Sequence, residues 1–195
     1  MEIAENAALV VVDVQKGFDE ADFWGTRNNP EADDNIASLI DVWQSTGRPV
    51  VFVRHDSSKP GSPLRLGYEG NDFKEYVEQR RGKGAGGAEL LITKTVNSAF
   101  YGTPDLDAWL KAEGSAQFVV AGIQTNMCVE TTARMGGNLG YDVVVAYDAT
   151  YTFDLEGPFG WRRSADEIAQ ASAVSLHGGG FARVVTTKEV VDAAR

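Results

Sequence analysis

Cys128, the only cysteine of the chain, lies where a protein could make a reactive nucleophile. It follows an apolar run that ends at Ile123, and it precedes a helical pattern that runs toward Gly140. This order predicts a strand, a tight turn and the start of a helix. Unpaired backbone N–H groups and the positive end of the helix dipole favour thiolate over thiol at such a corner. The alternative is an inert buried thiol, the commoner state of a free cysteine.

Two charged residues are predicted to reach the same place. Asp13 lies near the end of the β-branched run at residues 8–14, and Lys94 follows the apolar run at residues 90–92. A carboxylate can take a proton from a thiol, and a nearby ammonium group stabilises negative charge on sulfur. With Cys128 they form a minimal set for covalent hydrolysis of an amide without histidine. Taken singly, such an aspartate is often a turn former or helix cap, and such a lysine is usually solvated.

The elements that must position these side chains predict an α/β fold. Strands are predicted at residues 8–14, 49–53, 90–92, 117–123, 142–148 and 183–186, and helices at 30–47, 71–81, 104–110, 128–140 and 164–177. This alternation is typical of one doubly wound domain, here residues 1–195, with a six-stranded, mainly parallel sheet and helices on both faces. Ligands bind such folds at the carboxyl ends of the strands, where the three candidate residues are predicted to emerge.

Composition excludes several classes of protein. The net charge of −10 disfavours nucleic acid and anionic membrane surfaces as partners, so a small molecule is the expected partner. No apolar run approaches the length of a membrane span. One cysteine cannot form an intrachain disulfide, and residues 1–6 lack the features of a signal peptide, so we expect a cytoplasmic protein. Residues 82–87 match G-x-G-x-x-G but precede a strand, which indicates a turn rather than a dinucleotide site.

Three separate motifs resemble the isochorismatase-like cysteine hydrolases, a family that includes nicotinamidases, N-carbamoylsarcosine and ureidoacrylate amidohydrolases, and streptothricin hydrolase. The motifs are Val-Val-Asp-Val-Gln-Lys-Gly-Phe at 11–18, Lys94 with Ser98-Ala99-Phe100 and Thr103 after it, and Gly-Ile-Gln-Thr-Asn-Met-Cys-Val at 122–129. The resemblance covers almost the whole chain, and three motifs in the right order are more specific than any one. It therefore favours a reactive cysteine over an inert one.

The resemblance implies roles for five residues. Cys128 would be the nucleophile, Asp13 the general base that takes its proton, and Lys94 the cation that holds the thiolate. A cis peptide bond is implied between Ile123 and Gln124, which would direct the backbone amides of Gln124 and Cys128 at the developing oxyanion.

A reaction class follows from the same resemblance. It implies a cofactor-free hydrolase of C–N bonds in a small amide, ureido or carbamoyl substrate, with a thioester intermediate and a homo-oligomeric state, dimer or tetramer. True isochorismatases cleave a vinyl ether and lack the cysteine nucleophile, so vinyl ether hydrolysis is the alternative reaction. A non-catalytic binding protein on the same scaffold is the alternative class.

The histidine count argues against a metal. Nicotinamidases often bind one through an aspartate and several histidines near the end of the second strand, where this chain has only His55 and Asp56. The other histidine, His177, lies at the end of the last predicted helix, and two side chains do not make a zinc site. We therefore expect no metal. The role of His55 stays open between packing, substrate contact and an alternative base for Cys128.

Aromatic residues are concentrated near the predicted strand ends. A largely apolar substrate pocket is expected from them and from His55. Its predicted members are Phe18, Trp24, His55, Phe100, Tyr101 and Trp161. An arginine at the rim, Arg54, Arg65 or Arg162, would suit a substrate with an anionic end.

Overall fold

A six-stranded parallel sheet forms the centre of the computed structural model, which describes residues 1–195. Its strands are β1 (Ala8–Val12), β2 (Val50–His55), β3 (Glu89–Lys94), β4 (Gln117–Ile123), β5 (Asp142–Tyr151) and, after a small hairpin of β6 (Leu155–Glu156) and β7 (Arg162–Arg163), β8 (Arg183–Val185). The order across the sheet is β3-β2-β1-β4-β5-β8, and every neighbouring pair is parallel. The predicted doubly wound α/β sheet is confirmed.

Helices cover both faces of the sheet. They are α1 (Ala21–Trp24), α2 (Ala32–Ser45), α3 (Glu75–Glu78), α4 (Leu106–Ala112), α5 (Glu130–Asn138), α6 (Ala165–Gly178) and α7 (Thr187–Ala194). Successive side chains of a strand point to opposite faces. Leu9 and Val11 of β1 accordingly pack in one core with α2 and α7, and Val10 packs in the other with α4, α5 and α6. None of these helices has the length and apolar character needed to cross a lipid bilayer.

The chain changes direction between β1 and β4, which are neighbours although two strands separate them in sequence. Gly122 has φ of +124° and pairs with Val12 in the register of the two strands. A side chain at Gly122 would collide with the backbone oxygen of Val12. In open α/β sheets the crevice at such a reversal is the usual ligand site.

Several elements differ from the sequence-based expectation. The hairpin of β6 and β7 and the helix α7 were not predicted, and β5 continues to Tyr151. The helix expected over residues 71–81 is reduced to the single turn α3, while residues 125–129 form a π-helical turn ahead of α5. Residues 82–87 contain only turns and bends, as predicted.

Candidate active site

The ends of β1, β3 and β4 bring three of the predicted residues together. Asp13 follows β1, Lys94 ends β3, and Cys128 lies in the π-helical turn after β4. The Nζ atom of Lys94 is 2.5 Å from Oδ2 of Asp13 and 3.4 Å from Sγ of Cys128. The Asp13 and Lys94 side chains are completely buried, so Lys94 is not the solvated lysine that such positions usually hold. The contacts join a thiol, a carboxylate and an ammonium group away from bulk water.

Asp13 has an uncommon backbone conformation that begins the turn after β1. Its φ of +53° lies in the left-handed region, which aspartate tolerates better than most residues. The Asp13 N–H donates to Val53 O at 2.8 Å, and the Asp13 carbonyl accepts from Gln15 N at 2.9 Å. One buried carboxylate oxygen, Oδ1, accepts no hydrogen bond. Asp13 therefore has a free acceptor beside the thiol, as a general base requires.

The turn that carries Cys128 is anchored on Gln124. The peptide bond between Ile123 and Gln124 is cis, as the family resemblance implied. The Gln124 carbonyl accepts from the N–H groups of Met127 and Val129, at 3.1 and 3.2 Å. Single π-helical turns occur frequently at functional sites. Here the turn leaves Cys128 buried but still in contact with a cavity.

The protonation states of the three groups follow from burial and from their contacts. Burial raises the pKa of the Cys128 thiol, Asp13 raises it further, and Lys94 offsets only part of the rise. Cys128 is therefore a thiol at rest, because burial beside a carboxylate outweighs the nearby lysine. Burial alone would lower the pKa of Lys94, but Asp13 and Cys128 raise it overall, so the ammonium stays charged.

His55 completes the contacts around Lys94. Its Nδ1 lies 3.3 Å from Lys94 Nζ. Burial lowers the pKa of His55, Asp13 acts against that effect, and Lys94 reinforces it. The net direction is downward, so the imidazole is neutral at neutral pH.

Donor atoms of Asp13, His55 and Cys128 lie within 4.8 Å of one another, close enough to share a metal ion. The Lys94 ammonium group contacts all three residues, so a positive charge already lies among these donors. The donor set therefore does not fit a metal. Asp56 does not join it, because its carboxylate is held by Arg54 at 2.9 Å and by Asn71 at 3.0 Å.

A cavity of about 280 Å³ lies beside Asp13, His55 and Cys128. Asp13, His55, Gln124 and Cys128 are among its polar lining residues. Its apolar wall is formed by Phe18, Phe23, Trp24, Leu64 and Met127. The rings of Phe18 and Trp24 lie 4.9 Å apart between centroids, so the wall includes a packed aromatic surface.

Three of the predicted pocket residues lie elsewhere. Phe18, Trp24 and His55 line the cavity, but Phe100, Tyr101 and Trp161 do not. Phe100 packs against Phe118 and Tyr141. Tyr101 is 71% exposed, and Trp161, next to the β6–β7 hairpin, is 61% exposed. Proximity to a strand end in the sequence does not decide whether a side chain turns toward the crevice.

The predicted cationic rim is also corrected. Arg54 is paired with Asp56, Arg162 with Glu156, and Arg65 lies over the Tyr68 ring. The cation that lines the cavity is Lys59, which was not predicted. It belongs to the segment after β2, whose hydroxyl side chains also face the cavity. These are Ser57, Ser58 and Ser62.

Comparison with known proteins agrees with the fold and the motifs. The isochorismatase domain family matches residues 7–188. YrdC of Bacillus subtilis (strain 168), an uncharacterized isochorismatase family protein, is 38% identical over 188 residues, 96% of each chain. Nicotinamidase 3 of Arabidopsis thaliana is 32% identical over 158 residues, 77% of this chain and 75% of that one.

A solved structure gives the same result. The crystal structure of an isochorismatase-family protein from Chromobacterium violaceum ATCC 12472 matches with a TM-score of 0.90 and 39% identity, over 100% of this chain and 96% of that chain. The resemblance inferred from three motifs is thus confirmed by similarity over nearly the whole length. The chain belongs to the isochorismatase family of hydrolases.

Proposed function

We propose that this chain hydrolyses a C–N bond in a small amide, ureido or carbamoyl compound through a thioester on Cys128. The observation that carries the proposal is the buried Lys94 ammonium group, 2.5 Å from Asp13 and 3.4 Å from Cys128, beside a cavity of about 280 Å³. A nucleophile, a base and a fixed cation in one desolvated place are the groups that covalent amide hydrolysis needs.

The first half of the reaction forms the thioester. As Sγ of Cys128 attacks the substrate carbonyl carbon, its proton passes to Asp13. The ammonium of Lys94 stabilises the negative charge that develops beside it. Asp13 then gives the proton to the substrate nitrogen, the C–N bond breaks, and ammonia or an amine leaves with that proton.

The second half restores the enzyme. Asp13 takes a proton from water as the water oxygen attacks the thioester carbon. The C–S bond breaks, the acid product leaves, and the proton returns to Sγ. A carbamic acid product from a ureido or carbamoyl substrate then loses carbon dioxide. No cofactor or external reductant enters the balance.

The cavity limits the substrate by size and charge. Its volume lies at the lower end of the range for small-molecule sites, which favours a compact substrate. The rings of Phe18 and Trp24 suit a planar group, and Lys59 at the cavity lining suits an anionic end. The similarity to Nicotinamidase 3, a protein named for an amide, supports the same class.

A substrate screen with intact-protein mass measurement tests the proposal. Nicotinamide, N-carbamoyl amino acids, ureidoacrylate, streptothricin-type lactams and isochorismate are offered to the wild type and to Cys128→Ala. We expect turnover of at least one amide or ureido compound, an acyl adduct on Cys128, and neither in the variant, which should melt like the wild type. Turnover of isochorismate alone without an adduct, or no turnover of any compound, would contradict the proposal.

A further inference from the structure

The buried ammonium group of Lys94 has three hydrogen-bond partners. They are Oδ2 of Asp13 at 2.5 Å, Nδ1 of His55 at 3.3 Å and Sγ of Cys128 at 3.4 Å. An ammonium group has three donors and no acceptor, and a buried donor without a partner is costly. Two partners come from the proposed catalytic residues. The third hydrogen bond needs His55.

We infer that His55 is a positioning residue, whose Nδ1 accepts the third hydrogen bond of Lys94 and holds the ammonium group between Asp13 and Cys128. The expected effect of that position on catalysis rests on the proposed function. Because Lys94 can only donate, Nδ1 must accept and Nε2 must carry the ring proton. The imidazole therefore has no free nitrogen with which to take the proton of Cys128, which excludes the alternative base considered from the sequence.

The backbone of His55 is fixed from two sides. Its N–H donates to Oε1 of Gln15 at 2.8 Å, and its carbonyl accepts from Gln15 Nε2 and Asn71 Nδ2, both at 3.0 Å. His55 and Lys94 are also direct partners in the register of β2 and β3. The imidazole and the Lys94 side chain thus extend from paired positions at the ends of β2 and β3.

The charged groups around His55 determine the pH range in which its Nδ1 can accept a hydrogen bond. Asp13 comes from β1, Lys94 from β3, Cys128 from the turn after β4, Asp56 from its own strand end, and Lys59 lines the same cavity. Protonation of Nδ1 would remove the acceptor and place a second cation against Lys94. Burial lowers the pKa of His55 despite the two aspartates, so that protonation occurs below the ordinary value of about 6.5. The acid limb of activity is expected there.

Two substitutions distinguish a role of His55 as hydrogen-bond acceptor from a role in filling space. In His55→Asn an amide oxygen can take the place of Nδ1, whereas His55→Leu has similar bulk and no acceptor. We expect His55→Leu to lower kcat about 10- to 100-fold with little change in KM, as for loss of a hydrogen bond to a charged group. His55→Asn should stay within about fivefold of wild type and lose the part of the acid limb of kcat that comes from the imidazole, because it has no ring to protonate. The control is His177→Leu, at the exposed end of α6, which should keep the wild-type pH profile.

A second readout needs no substrate. The rate at which iodoacetamide alkylates Cys128 between pH 7 and 10 reports how well Lys94 supports the thiolate. At a given pH it should be about 10-fold slower in His55→Leu than in wild type, and near wild type in His55→Asn. Equal rates in all three proteins, or equal losses in both variants, would overturn the inference. Because this measurement is independent of turnover, it remains decisive even if the proposed hydrolysis is not found, and near-UV circular dichroism of each variant reports folding.

Discussion

At the scale of single residues, Asp13 and Lys94 form a buried ion pair whose members should depend on each other for stability. Both side chains are fully buried and 2.5 Å apart. Removing one partner of such a pair leaves an uncompensated charge in the interior, at a cost of about 3–5 kcal/mol, whereas removing both leaves no charge at all. The pair should therefore behave as one unit in a double-mutant cycle.

The cycle uses Asp13→Asn and Lys94→Met, measured by urea unfolding at pH 7. We expect Lys94→Met alone to lower the free energy of unfolding by about 3–5 kcal/mol, and the double variant to lose less than the sum of the two single losses. All three variants should lack turnover. The control cycle is Lys188→Met with Asp192→Asn, an exposed pair on α7 whose losses should be small and additive. Additive losses at Asp13 and Lys94 would contradict the buried-pair account.

The residues that sequence reasoning placed well are those at strand ends. Asp13, Lys94 and Cys128 each follow an apolar run, and parallel strands deliver their ends to one edge whatever the loops do. Phe100 follows β3 and Trp161 lies between β6 and β7, and the direction of each side chain depends on what it packs against, which is a tertiary property. The protonation state of Cys128 is not visible in the local sequence either, because it depends on burial and on the nearby Asp13.

At the scale of elements, the contact between β1 and β4 decides whether the site can form. Gly122 has φ of +124° and faces the backbone of Val12, one residue before Asp13. Any side chain at Gly122 must push β4 away from β1 or distort its own backbone. The same displacement would move Asp13 relative to Cys128.

Gly122→Ala tests that contact. We expect it to lower the free energy of unfolding by at least about 2–3 kcal/mol. We also expect a larger change in kcat than in KM, because the strain and the collision act near Asp13 and Cys128. The matched control is Gly178→Ala, in the last turn of α6, where a Cβ meets open space. Equal stability of the two variants would show that the close approach is not required.

Elements were predictable where their pattern was long. The strands β1 to β5 and the helices α2, α4, α5 and α6 each have an apolar run or helical spacing over five residues or more, but α3, β6 and β7 have two to four residues each, too few for a pattern. The helix α7 has a local signal in the sequence. Thr186 and Glu189 form a capping box, with the Thr186 hydroxyl accepting from Glu189 N at 3.3 Å, and this spacing is visible in the sequence.

At the scale of the whole molecule, several buried groups are held in their protonated form. Burial and the neighbouring Asp33 raise the pKa of both Tyr76 and Tyr151, and the pKa of Lys94 is raised as well. A pKa that is higher in the folded than in the unfolded state means that the folded state binds more protons between the two values. Their contribution is complete below pH of about 10, the ordinary value for tyrosine, and is lost as pH rises above it.

We therefore expect the free energy of unfolding to fall between pH 9.5 and 11, by up to about 1.4 kcal/mol per pH unit for each such group. Tyr151→Phe should reduce the slope without loss of stability at pH 7, because its hydroxyl is buried and has no partner. Tyr76→Phe should also reduce the slope but destabilise at pH 7, since it loses the hydrogen bond to Asp33 at 3.0 Å. Tyr101→Phe, an exposed position, is the control. Urea unfolding at each pH provides the measurement, and a flat profile in the wild type would contradict the prediction.

Because β1 and β4 are neighbours that lie far apart in the sequence, the contacts of the Cys128 thiol are absent until the chain has folded. Asp13 directly follows β1, and His55 and Lys94 end β2 and β3, whereas Cys128 follows β4. A growing or half-folded chain thus carries the thiol on one portion and the groups that tune it on the other. Until the two portions dock, Cys128 has the pKa of an ordinary cysteine, and the shift of that pKa marks the moment at which β1 and β4 have joined.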